Sequence, residues 1–289
     1  MDVWKTTFAG GFNQSKYLYH YTGIDSAIKI ICSDKLLFSP ISNTNDTSEA
    51  KMKLDFSPPP NITEEGFRQQ TNKIKDYLNK YKQLVRIMCF SMDAKISKAD
   101  QEKAIKALGP KTKYYDVRGR GFALPRMWAQ YAGDNKGVCF ILDKEALLNR
   151  VKKKVAFQIS NPVIYKKFFD RYIITASHME ELTEKIDMVG NGSLTLLNLI
   201  QSDTDFLKYN FFEKLDDWKN EHEFRIITLT DRQDSTIYVD KLSTYLRGIV
   251  LGEKVDPNYE KIIKMLLQEN EIECDIRKIT FGSNGCTVK

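Results

Sequence analysis

A chain of 289 residues, 42% apolar and 28% charged, has enough apolar surface to bury a core without disulfide or metal staples, and its composition lies far from that of a disordered protein. The balance of 44 Lys+Arg against 38 Asp+Glu leaves a formal charge of +6, which permits contact with a polyanion and is also met as an ordinary solvated face. The opening residues show no basic stretch followed by an apolar run, and nowhere do about 18 uninterrupted apolar residues occur, so the expectation is a cytoplasmic protein with no membrane partner.

In chain order, Tyr17 to Thr22 alternate as a strand, and Asp25 is placed to cap the following helix, with Ile28, Ile31 and Cys32 at helical spacing. A second strand, LLFSP, ends at Pro40, and the polar turn SNTNDTSE leads out of the core. Three prolines precede Thr63, Glu64 and Glu65, which open a charged surface helix. VRIMCFS is apolar enough for a central strand, whereas residues 92–125 read as a polar, mobile insertion. In RMWAQYAGDNKG, Met127, Trp128 and Tyr131 share a helical face, and Gly133 or Gly137 stops the helix before the strand VCFILD. AFQISNPVIY is strand-like, and residues 168–216 are expected to be a helical subregion. EHEFRIITLT, TIYVD and YLRGIVLG are closely spaced strands; a helix opening at Pro257 and a last strand IECDIRKIT follow, and the tail FGSNGCTVK reads as loosely held. No repeat or linker divides the chain, so residues 1–289 are expected to form one α+β domain: a mixed, largely antiparallel sheet with flanking helices and a helical insertion.

Several polar residues sit where a core has no use for them. Strand parity puts His20 and Thr22 on one face with Leu18, where they either bond one ligand or leave His20 as a satisfied, half-buried histidine. The same parity places Glu221, Glu223 and Arg225 together; two neighbouring carboxylates serve a bound cation or cationic transition state, or form a structural ion-pair ladder. Asn45, Asp46 and Glu49 follow a strand, as ligand-rim or turn residues do. Trp128 reads as core. The sequence carries no P-loop, GxGxxG, HExxH, GxSxG or zinc spacing, which removes support for ATPase, Rossmann, zincin and serine-hydrolase chemistry.

Taken in order, Leu18-Tyr19-His20-Tyr21-Thr22, Asn45-Asp46 with Glu49, Cys89-Phe90-Ser91, Met127-Trp128 with Tyr131-Ala132, Lys136-Gly137-Val138-Cys139, and Trp218 with Glu221, Glu223, Phe224 and Arg225 resemble the bacterial family named domain of unknown function 2971, often met near phage-defence and abortive-infection genes. The opening YHYT strand and the late Glu-x-Glu also resemble DarT-type ADP-ribosyltransferase toxins. This second resemblance implies an ADP-ribosyltransferase-like fold and NAD as substrate, with a nucleic acid or protein acceptor and a possible antitoxin or regulatory partner. It implies that His20 and Thr22 hold the adenine-side ribose or nicotinamide amide and that Asn45 and Asp46 adjoin them. Glu223 would stabilise the oxocarbenium-like cation and Glu221 would orient or deprotonate the acceptor; Ser91 or Tyr131 stands for the transferases' middle motif, and Arg225 sits beside Glu223. No resident metal is implied. Two alternatives are a magnesium-dependent nuclease using Asp46, Glu49, Glu221 and Glu223, and a non-catalytic sensor or partner-binding module.

Overall fold

A computed structural model describes residues 4, 16–46, 53–60, 62–94, 99, 117, 119–169, 171–190, 204–230, 232–282 and 285–289. In chain order the elements are β1 (Tyr17–Thr22), α1 (Ile24–Ser33), β2 (Lys35–Leu37), β3 (Ser39–Pro40), β4 (Leu54–Phe56), α2 (Glu64–Leu84), β5 (Val85–Ser91), α3 (Pro125–Tyr131), β6 (Val138–Asp143), α4 (Lys144–Lys152), β7 (Ile159–Pro162), β8 (Ile164–Lys166), β9 (Tyr172–Ile174), α5 (Ala176–Gly190), α6 (Thr204–Phe211), β10 (Glu213–Leu215), β11 (Glu223–Leu229), β12 (Tyr238–Asp240), β13 (Leu246–Leu251), α7 (Pro257–Glu269), β14 (Asp275–Gly282) and β15 (Gly285–Val288).

Local chemistry accounts for several of these boundaries. Thr63 caps α2 as expected, its Oγ1 accepting from the Gly66 N–H at 3.1 Å, and Asp256 caps α7 ahead of Pro257. Helix α1 begins one residue before the expected cap: Gly23 is its N-cap, and Asp25 lies inside the first turn. LLFSP divides into β2 and β3. Most of the expected insertion at residues 92–125 lies outside the described residues, but its two ends are packed: Asp93 and Arg120 are both buried. The stretch 168–216 contains α5 and α6, and also the short strands β9 and β10. The tail is not loose. Gly285–Val288 returns antiparallel along β14, and Cys286 and Val288 are buried.

Among the described residues the main sheet has nine strands in the order β15-β14-β13-β6-β1-β5-β11-β7, with β3 also pairing β5. Only β13 and β14 run parallel within it, so the architecture is a mixed, largely antiparallel sheet with flanking helices. Alternation divides the side chains between two faces. On one face Leu18, Phe90, Phe140, Phe224 and Ile249 pack with Ala27 and Ile31 of α1, Leu147 and Val151 of α4, and Ile263 and Leu267 of α7. On the other, Tyr17, Tyr19, Tyr21, Cys139 and Ile141 pack with Phe122 and Trp128, while Ile87 and Ile227 meet Ile74, Leu78 and Tyr81 of α2. Each fully buried Leu or Ile contributes roughly 2 kcal/mol. Helix α2 is therefore a surface helix with one face in the core.

One irregularity of the sheet positions everything that follows. Strand β11 covers one edge of β5 along its full length, Val85 to Ser91. The opposite edge is shared: β1 meets it only at Tyr19 and Ser91, and β3 meets it at Ile87 and Arg86. Between these rungs, from Met88 to Phe90, no strand continues the ladder on that edge among the described residues. The sheet is open there, between the second half of β1 and the middle of β5.

Candidate active site in the opening between two strands

A cavity of about 240 Å³ occupies this opening. Its walls are Tyr19, His20 and Tyr21 of β1 and Ile87 to Ser91 of β5; Ser39 and Asn43 to Asn45 close one end, and Met127, Tyr131, Lys214, Glu221 and Glu223 cover it. An open sheet edge presents main-chain N–H and C=O groups that water or a ligand must satisfy, so the site offers backbone donors and acceptors besides its side chains.

Parity alone would separate His20 from Glu223. Tyr19, Ser91 and Glu223 form one register row and share a face, and His20 is on the other, with Phe90, whose ring centre is 5.8 Å away. Both residues reach the cavity because it lies within the plane of the sheet. The half-buried imidazole Nδ1 is 3.5 Å from the Cys89 carbonyl oxygen. Burial pushes the imidazole below its ordinary pKa of 6.5, against the pull of that carbonyl, so His20 is neutral near pH 7 and acts through hydrogen bonds rather than charge. The Ser91 hydroxyl, 1% exposed, has no hydrogen-bond partner among the described residues although it lines the cavity. A buried hydroxyl without a partner costs free energy that a bound ligand recovers.

The acidic end is a network. Glu221 ends a 3-10 turn (Asp216–Glu221), and His222, at φ 47° and ψ 49°, turns the chain into β11. The expected strand over EHEFRIITLT therefore starts at Glu223, and the left-handed residue, not strand parity, brings both carboxylates to the cavity. Glu221 Oε1 accepts from the Tyr131 hydroxyl at 2.8 Å, and its Oε2 accepts from Lys214 Nζ at 2.9 Å. Lys214 Nζ is also 3.0 Å from Glu223 Oε2. Arg225 grips Glu223 with two donors, Nε to Oε1 at 2.7 Å and an Nη to Oε2 at 3.0 Å. Burial works to raise the Glu223 pKa, but the Arg225 and Lys214 charges outweigh it and hold the carboxyl at about 2. Burial, with Glu221 beside it, pushes the Tyr131 phenol up, so it stays a donor; the Asn45 side chain bonds the same phenol.

Of the residues singled out from sequence, His20, Asn45, Ser91, Tyr131, Glu221 and Glu223 converge on the cavity. Arg225 stands directly behind, on Glu223. Thr22 and Asp46 are buried but are not among its lining residues, and Glu49 lies outside the described residues. Trp128 is core, its Nε1 donating to the Phe122 carbonyl at 2.8 Å. Sequence reasoning missed Lys214, since a lone lysine in FFEKL carries no signal of its partners. Among the described residues no group of three or more His, Cys, Asp or Glu is placed to hold a metal, and the nuclease carboxylates Glu221 and Glu223 are engaged by Lys214 and Arg225.

No curated protein and no solved structure matches the chain, and the similarity to DarT-type transferases is not shown by any comparison. The YHYT strand and Asn45-Asp46 fall outside the one stretch that does match. That stretch runs from Met127 of α3 to Ile226 of β11 and supplies Tyr131, Lys214, Glu221 and Glu223: residues 127–226 match the family model described as Protein of unknown function (DUF2971).

Proposed function

We propose that the cavity binds the nicotinamide end of NAD and that the chain is an ADP-ribosyltransferase-like enzyme. The observation that carries this reading is the convergence, in one opening of the sheet, of a neutral histidine, a buried hydroxyl with no partner among the described residues, and two carboxylates. At about 240 Å³ the cavity falls below the roughly 300 Å³ at which pockets hold a whole drug-sized ligand, so NAD enters by one end. The apolar walls from Tyr19, Tyr21 and Phe90 suit a flat ring. The exposed strand edge, with Ser91, His20 and Asn45, suits an amide and a ribose.

In this reading the C1′–N bond breaks with its electron pair leaving on neutral nicotinamide. Charge then develops on the ribose, facing Glu223, which is ionised near neutral pH and only 5% exposed. An acceptor nucleophile bonds C1′, and its proton passes toward Glu221, whose Oε1 is oriented by Tyr131. The charge of +6 favours a nucleic acid over a protein as acceptor. A role as toxin or defence effector follows from the family resemblance rather than from the geometry. One observation favours a binding module instead: Glu223 is clamped by two cations, and a paired carboxylate stabilises a developing cation less than a free one.

The deciding experiment measures nicotinamide release from NAD, alone and with bacterial RNA, DNA or lysate, beside the thermal shift given by NAD. Wild type is compared with Glu221→Gln, Glu223→Gln and Tyr131→Phe, each checked for folding. Release by wild type and its loss in the folded Glu221→Gln and Glu223→Gln variants support the transferase. A thermal shift without release supports the binding module, and neither signal under any condition sinks both.

A further inference from the structure

Strand β10 pairs with β8 in a register that sets Lys214 opposite Tyr165, whose hydroxyl accepts from the Glu223 N–H at 2.9 Å. Lys214 is 4% exposed, and its Nζ lies 2.9 Å from Glu221 and 3.0 Å from Glu223, with the centre of the Trp218 ring 4.7 Å away. A buried ammonium with a carboxylate on either side and an aromatic face beside it is well compensated for its lost hydration. A surface lysine serving only solubility would have none of these partners.

We infer that Lys214 is the positioning residue of this site: by bridging Glu221 and Glu223 it sets the spacing of the two carboxylates and lets both carry charge at once. The inference deepens the transferase reading and rests on it for its activity arm alone. Two carboxylates on one cavity repel, and without an intervening cation they titrate as a coupled pair in which one proton is retained to higher pH. The other groups facing the pair do not replace Lys214. Arg225, from the same strand as Glu223, grips Glu223 by Nε and an Nη; Tyr131, from α3, offers Glu221 a neutral hydroxyl; Cys89, from β5, offers Glu223 a thiol hydrogen bond; and the hydroxyl of Tyr165, from β8, accepts from the Glu223 main chain. Removing the ammonium leaves Glu221, among the described residues, with the Tyr131 hydroxyl against the field of Glu223.

The test replaces Lys214 by Met, which keeps length and apolar stem, and by Arg, which restores charge. In NMR of protein with ¹³C-carboxyl-labelled glutamate, the Lys214→Met pair is expected to take up its first proton at a pH higher than wild type by roughly one unit or more, and Lys214→Arg to restore most of the difference. If the site turns over NAD, the acid limb of the rate profile moves by the same amount in Lys214→Met, with kcat lowered more than KM is raised. A titration unchanged in folded Lys214→Met, or an arginine variant as displaced as the methionine one, overturns the inference whether or not any activity exists. Should Lys214→Met not fold, the wild-type ammonium decides: a slowly exchanging ¹⁵Nζ signal that moves with the carboxylate titration is expected, and its absence counts against the bridge.

Discussion

Glu223→Gln tests the electrostatics of the site without reference to any reaction. Glu223 is 5% exposed and carries three contacts to cations of 3.0 Å or less. Its carboxyl is held at about 2, against an ordinary value of 4.5. At about 1.4 kcal/mol per pH unit this gap corresponds to roughly 3 kcal/mol of stability, near the lower end of the range of about 3–5 kcal/mol for breaking a buried ion pair. The folded value is depressed, so the stabilisation is fully present above the ordinary value, and it is lost as pH falls through about 2. In urea denaturation at pH 7, Glu223→Gln is expected to be about 3 kcal/mol less stable than wild type, and the difference is expected to narrow by pH 3. A cost under about 1 kcal/mol at pH 7, or a difference that does not change with pH, would refute this account of the network.

Ser91→Ala removes a buried hydroxyl that has no partner among the described residues, so denaturation should find it within about 1 kcal/mol of wild type; NAD affinity, read by thermal shift or calorimetry, should fall several-fold. A loss of 2 kcal/mol or more, as would follow from a broken buried hydrogen bond, would contradict that picture. The ends of the 92–125 segment are joined by a fully buried pair, Arg120 Nε to Asp93 Oδ1 at 3.0 Å, and the Tyr19 hydroxyl donates to the same oxygen at 2.8 Å. Asp93→Asn and Arg120→Met should each cost about 3–5 kcal/mol, and the Asp93→Leu/Arg120→Met double variant clearly less than the two together. Additive losses would mean that the two side chains do not act as a pair.

Some of the site was legible because its signals are local. YLYHYT alternates, so its assignment as a strand and the division of its side chains into two sets needed no partner. Thr63 before two glutamates and Asp256 before Pro257 are capping chemistry written in adjacent residues. The tail shows where a local signal was passed over. Gly-Ser-Asn-Gly between two alternating runs is hairpin chemistry, and β15 indeed folds back on β14.

What stayed illegible is non-local. Glu221 and Glu223 meet the same cavity, but through a left-handed His222 that the strand pattern did not announce. His20 and Glu223 share the site despite opposite parity, because β1 touches β5 at one rung and the sheet parts beyond it. Lys214 acquires its meaning from Glu221, Glu223 and Trp218, which packing places around it and sequence spacing does not.

The sequence by itself determined most of the strands and helices, the α+β class and most of the polar residues of the site, because propensity, capping and alternation act over a few residues. Only the tertiary structure decided which strand edges meet, where the sheet opens and which cation sits between the two carboxylates, because those depend on burial and Coulomb forces between segments far apart in the chain.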